Sequence, residues 1–141
     1  MALGALSHIA FTVADLDRAA AFYDRVLGFL GYERWPAVAG QAKWKKPGVG
    51  IVLLYAADPA LRDQTHNRYA PGLHHFSFEA DSRDQVDELH TLLRAMDAQI
   101  LDPPADYAYT SGYYAVFFAD PDGLKLELCH APHAYTKPQT T

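Results

Sequence analysis

Three separated residues carry the chemistry this chain could do: His8, His75 and Glu127. From Leu124 to Cys129 the residues alternate, with Leu124, Leu126 and Leu128 on one face of a predicted strand and Lys125, Glu127 and Cys129 on the other. A carboxylate centred on a strand whose opposite face is all leucine needs a partner, because an ionised group is costly to bury alone. Two further strands supply imidazoles. His8 to Val13 puts His8, Ala10 and Thr12 opposite Ile9, Phe11 and Val13, and His75 to Glu79 puts His75, Ser77 and Glu79 opposite Phe76 and Phe78. Two imidazoles and one carboxylate facing a shared cavity make a metal triad with open coordination positions. On strict alternation His74 points away from His75 and stays out of that set.

The elements that must position these residues repeat. Laying His8 over His75 is a shift of 75 − 8 = 67 residues, and Ala19, Phe22, Val26 and Phe29 then fall on Val86, Leu89, Leu93 and Met96. Both sets form the apolar stripe of an amphipathic helix. Asp15 falls on Ser82, two good N-caps, and Gly28 and Gly31 end the first helix where Ala95 and Ala98 end the second. Strand-rich material follows each helix. In the first half it is Tyr32 to Val38, Gln41 to Lys45 and Gly50 to Ala56; in the second it is Gln99 to Leu101, Tyr113 to Ala119 and Leu124 to Cys129. The run Asp120-Pro121-Asp122-Gly123 is a turn signal that closes the last hairpin. The predicted fold is therefore α+β, with two tandem βαβββ modules forming a curved eight-stranded mixed sheet, helices outside and a metal-binding cleft inside. Module one covers about residues 4–57, a connector 58–72, module two 73–131 and a C-terminal tail 132–141, all within a single domain.

With 141 residues, half of them hydrophobic, the chain suits one soluble domain with a sizeable core. A formal net charge of −5 argues against broad nucleic-acid binding and favours a small-molecule ligand. One cysteine precludes an intramolecular disulfide and fits a reducing compartment. No run of about 18 apolar residues is present to span a membrane, and the N-terminus lacks the pattern of a secretory signal. The expected location is the cytoplasm. The stretch Asp102 to Tyr114, DPPADYAYTSGYY, reads as a substrate-facing loop, whose Tyr107, Tyr109, Tyr113 and Tyr114 offer a flat wall for a planar oxygenated ligand. The same rings would equally serve a core or a dimer contact.

The paired layout, the openings LSHIAFTVADLDRAAAFYDRVLGF and GLHHFSFEADSRDQVDEL, and the closing FFADPDGLKLEL resemble the vicinal-oxygen-chelate superfamily. That superfamily includes glyoxalase I, extradiol dioxygenases, fosfomycin-resistance enzymes, methylmalonyl-CoA epimerase and bleomycin-binding proteins. The resemblance implies a homodimer and one divalent ion (iron, manganese, nickel, cobalt or zinc) on His8, His75 and Glu127. Leu53 stands where glyoxalase I carries a fourth, carboxylate ligand that is also its base. Phe117 stands where the dioxygenases carry a tyrosine. The implied activity is that of a metal-dependent lyase, isomerase or dioxygenase gripping two adjacent oxygens of a small substrate. The proton carrier has no motif behind it, and Glu79, Tyr109, Tyr114 and Cys129 are the candidates. The contrasting expectation is a metal-free drug- or metabolite-binding protein of the bleomycin-resistance kind.

Overall fold

A computed structural model describes residues 3–135, so 136–141 of the expected tail lie outside the described residues. The chain divides after His66 into two compact units. The first contains β1 (His8–Val13), α1 (Leu16–Phe29), β2 (Glu33–Trp35), β3 (Gln41–Lys46) and β4 (Gly50–Ala56). The second contains β5 (Phe76–Glu79), α2 (Arg83–Ala95), β6 (Gln99–Asp106), β7 (Tyr114–Ala119) and β8 (Lys125–His130). The strands hydrogen-bond as two four-stranded sheets with the same order, β1-β4-β3-β2 and β5-β8-β7-β6. In each, the first strand of the unit lies parallel to the last and the other pairs are antiparallel. The two βαβββ modules are thus mixed sheets with one covering helix apiece.

Each helix begins where its sequence supplies an acceptor for an orphan amide. The Asp15 carboxylate accepts from the Arg18 amide at 2.9 Å, and the Ser82 hydroxyl from the Gln85 amide at 3.3 Å. The buried stripe of α1 includes Tyr23, Val26 and Leu27, and that of α2 is Val86, Leu89 and Leu93. In the first unit this stripe meets β1 and β3, with the Tyr23 ring 5.4 Å from Phe11 and 6.1 Å from Trp44. The Trp44 indole, 1% exposed, keeps its N–H satisfied by Asp24 at 2.9 Å. The helix ends are offset by one residue. The left-handed residue after α1 is Gly31 at φ +81°, whereas after α2 it is Asp97 at φ +54°, a separation of 97 − 31 = 66. The second helix is 13 residues long against 14, so the 67-residue repeat slips by one at this corner. The expected stop at Ala98 therefore falls one residue later than the one observed.

One expected loop is largely a strand. β6 continues through Asp102, Pro103 and Pro104 to Asp106, with register shifts between Ile100 and Asp102 and between Asp102 and Ala105. Prolines donate no ladder bond and are confined to edges and bulges. β6 is the edge of its sheet, so both conditions are met. The segment that does turn, Thr110 to Tyr113, closes with the Tyr113 amide on the Thr110 carbonyl at 3.2 Å and Gly112 at φ +75°.

The last hairpin closes as the DPDG run predicts. Gly123 takes φ +84° and its amide donates to the Asp120 carbonyl at 3.0 Å. Asp120, 4% exposed, accepts from the amides of Asp122 and Leu124 through one carboxylate oxygen, each at 2.9 Å. Replacing it by alanine orphans two amides at the mouth of β8. Asp120→Ala is expected to cost roughly 2–3 kcal/mol, measured as a drop in urea stability followed by far-UV circular dichroism.

Candidate metal centre

The face of the second sheet away from α2 carries the predicted carboxylate. Ladder register sets Ser77 (β5), Glu127 (β8) and Phe117 (β7) in one row, and Glu79, Cys129 and Ala115 in the next. Lys125 stands on the same face, beside Ala119. The opposite face, with Val116, Phe118, Leu126 and Leu128, is buried. Glu127 itself is 2% exposed, so its charge must be met by neighbours rather than by water.

Two neighbours meet it, one at each oxygen. The Tyr113 hydroxyl donates to Oε1 at 2.5 Å, a short charge-assisted bond. The other oxygen, Oε2, lies 3.3 Å from His75 Nε2. Tyr113 also shares a hydrogen bond with Cys129, whose sulfur lies 3.5 Å from the Ser77 hydroxyl. Burial, then the thiol and the carboxylate, hold the Tyr113 proton well above the usual phenol range. This hydroxyl is therefore a fixed donor and not a base.

His75 precedes β5 and is not part of it. Its Nδ1 lies 2.7 Å from Nδ1 of His74, so the two imidazoles meet. The alternation that would send His74 to the opposite face does not apply, because the chain there has no strand pairing to impose it. The His74 ring also contacts Tyr69 edge-on, with centroids 6.3 Å apart. Partial desolvation, then His75, Lys125 and Arg68, hold His74 below the usual imidazole range.

The expected tyrosine wall divides. Tyr107 and Tyr109 stack with planes 6° apart, Tyr109 meets Tyr113 edge-on at 5.2 Å, and Tyr107 meets Phe117 at 5.3 Å. These four rings and His75, 6.4 Å from Phe117, form one aromatic cluster beside Glu127. Tyr114 is not among them. Its neighbour in the ladder is His130, and its hydroxyl donates to Asp87 of α2 at 2.6 Å beneath the Arg83 guanidinium. A one-residue step along β7 sends it to the helix side. Of the proton-carrier candidates, Cys129 is buried within the cluster, Tyr109 is 66% exposed at its rim and Glu79 is exposed at the end of β5. Lys125, whose ammonium sits 4.3 Å above the Phe117 ring, and His74 complete the face.

The first unit repeats part of this plan. Ala10 pairs with Leu53 as Ser77 pairs with Glu127, and 77 − 10 = 67. Register thus makes Leu53 the counterpart of Glu127, so the first unit has a leucine where the second has its carboxylate. His8 is the counterpart of His75 and lies in the row of Ile51 and Lys45. Its Nδ1 is 3.1 Å from the Ser7 hydroxyl.

His75 and Glu127 are two potential donors at the spacing of neighbouring ligands. Adjacent ligands on bonds of about 2.0–2.2 Å stand roughly 3.0–3.5 Å apart, which brackets the observed 3.3 Å between Nε2 and Oε2. Among the described residues no group of three or more His, Cys, Asp or Glu side chains is placed to hold a metal ion. His8 belongs to the first unit.

Fold and site together define a class. Residues 5–128 match the Glyoxalase/Bleomycin resistance protein/Dioxygenase superfamily, and the chain belongs to it. The protein YqjT of Bacillus subtilis strain 168 is 35% identical over 124 residues, covering 87% of this chain and 96% of that protein. A candidate glyoxalase from Bacillus halodurans superposes with a TM-score of 0.80 at 31% identity, over 92% of this chain and 97% of that one. A lactoylglutathione lyase from Agrobacterium tumefaciens gives 0.65 at 28% identity, over 91% and 94%. No helix among the described residues is long and apolar enough to cross a membrane.

Because folding raises the Tyr113 pKa above its ordinary 10.0, the stability this proton contributes is in place below pH 10. It is lost as the pH rises through the higher folded value. Tyr113→Phe removes that contribution. The gap in urea midpoint between wild type and variant should hold constant from pH 7 to 9 and narrow above pH 10; a gap that widens there would contradict the assigned donor role.

Proposed function

We propose that this chain is a metal-dependent enzyme acting on a small oxygenated substrate, with His8, His75 and Glu127 as the protein ligands of one divalent cation. The observation that carries the reading is the approach of His75 Nε2 to Glu127 Oε2 at 3.3 Å, with the outer atoms already engaged by His74 and Tyr113. Two donors thus stand at the spacing of neighbouring ligands while their other atoms are engaged elsewhere, as second partners do for metal-holding imidazole and carboxylate. His8 enters as the repeat counterpart of His75. A cation held by these three donors would leave open positions for two adjacent substrate oxygens and would stabilise an oxyanion there.

The remaining residues bind and orient. Tyr107, Tyr109 and Phe117 present ring faces and edges to a planar ligand, and Lys125 adds a positive charge beside Phe117. Tyr113 keeps Glu127 from rotating by holding Oε1, which leaves Oε2 for the cation. Leu53 removes the carboxylate base that the glyoxalase I resemblance would require, so the reaction differs from that of a lactoylglutathione lyase at the proton-transfer step. Cys129, hydrogen-bonded to Tyr113 and Ser77, is one titratable group of this face that the ligand set leaves unused.

Metal analysis tests the reading. Protein purified without an affinity-tag metal and reconstituted with manganese, iron, cobalt, nickel or zinc should retain about one ion per chain. His75→Ala, His8→Ala and the near-isosteric Glu127→Gln should each weaken retention by at least about tenfold. Wild-type protein that retains no ion, yet binds a planar aromatic ligand tightly, would identify a metal-free binding protein instead.

A further inference from the structure

Among the described residues three arginines lie over aromatic rings, and two of them also hold a carboxylate. Arg34 lies over Trp44 and pairs with Asp24 at 2.9 Å; Arg83 lies over Tyr114 and pairs with Asp106. Arg68, 4.8 Å from the centre of the Tyr69 ring, has no carboxylate partner among the described residues. Lys125 is in the same position, with its ammonium 4.3 Å above Phe117 and no carboxylate paired with it among those residues. Both cations are half-buried, where an uncompensated charge is costly. Acids are not scarce in this chain, which has 17 of them against 12 lysines and arginines. Yet the carboxylates of this face do not answer the two cations. Glu127 is engaged by Tyr113 and His75, Glu79 stands in the Cys129 row, and Asp102, across the ladder from Phe117, forms no ion pair among the described residues.

The two cations belong to one continuous surface of the second unit. Tyr69 meets the His74 ring edge-on at 6.3 Å, His74 touches His75, and His75 meets Phe117, which Lys125 overlies, at 6.4 Å. Positive charge from both Lys125 and Arg68 reaches the His74 ring. Tyr69 is 80% exposed and His74 is exposed as well, so two ring surfaces lie open beside two unanswered charges. We propose that this surface binds an aromatic carboxylate, with Lys125 and Arg68 holding the carboxylate and Tyr69 and His74 flanking the ring. The planar fork of a guanidinium pairs with both oxygens of a carboxylate, and an ammonium adds a point charge to the same group. The exposed rings give flat apolar area to a planar body. A neutral ligand would leave both cations unanswered, and an aliphatic acid would leave Tyr69 uncovered. The site uses none of His8, His75 and Glu127 as ligands and needs no metal ion, so it stands apart from the metal reading.

The test is calorimetric titration of benzoate into full-length protein stripped of metal on a chelating resin, with benzamide as the neutral isostere. Benzoate should bind saturably in the millimolar range or tighter. Benzamide should bind at least about tenfold more weakly, since only the carboxylate makes charge-assisted bonds. Arg68→Gln and Lys125→Gln should each weaken benzoate binding by about tenfold, while Lys125→Arg should stay within about threefold of wild type. Tyr69→Ala should weaken it by about threefold. Raising sodium chloride from about 50 mM to about 500 mM should weaken benzoate and leave benzamide unchanged, a reading on wild type that no folding defect of a variant can mimic. No saturable benzoate binding to wild type overturns the proposal, as does benzamide binding equally well or wild-type affinity in either glutamine variant. Wild-type affinity in Tyr69→Ala overturns the place given to the ring. These measurements contain no metal, so a chain that retains no ion leaves them unaffected, and their failure leaves the metal reading to its own test.

Discussion

A buried carboxylate governs the second unit. Glu127 sits in the middle of a strand, nearly without exposure, with leucines on either side directed into the α2 core. At such a site an unpaired charge would cost several kcal/mol, so the neighbouring elements are arranged around its two oxygens. The Thr110–Tyr113 turn brings a phenol to one oxygen, and the segment entering β5 brings an imidazole to the other. A glutamine would satisfy a phenol without that demand. A carboxylate instead presents its second oxygen to the His75 imidazole.

Much of this architecture is legible in the sequence. β1 and β4 begin and end at the predicted residues, the DPDG turn closes as expected, and both N-caps act as assigned. These features are local, set by alternation, by helix period and by residues with narrow backbone preferences, and such signals survive translation into structure. The equivalence of Leu53 and Glu127 was also visible, because the parallel pairing of the first and last strands is the same in both units and the repeat has no gap up to that helix.

What sequence reasoning missed came from places where a period does not hold. Strand alternation turns His74 away from His75, yet it lies before β5 begins, where no ladder dictates facing. Proximity in the chain groups Tyr114 with Tyr107, Tyr109 and Tyr113, although the first residue of β7 falls on the helix face. The proline pair at 103–104 suggested a loop, but an edge strand tolerates it through two register shifts. Lys125 was seen to share the Glu127 face, and its seat over Phe117 depended on a ring contact that no spacing rule anticipates.

Both tryptophans, Trp35 and Trp44, fall in the first unit, one half-exposed on β2 and one sealed against Asp24 and Arg34. The second unit, with its cluster of stacked phenols, has none. Indole emission during denaturation therefore reports on the amino-terminal half alone, while tyrosine absorbance is weighted toward the carboxy-terminal half. Recording the two signals side by side would reveal whether the halves melt as one cooperative body or in succession.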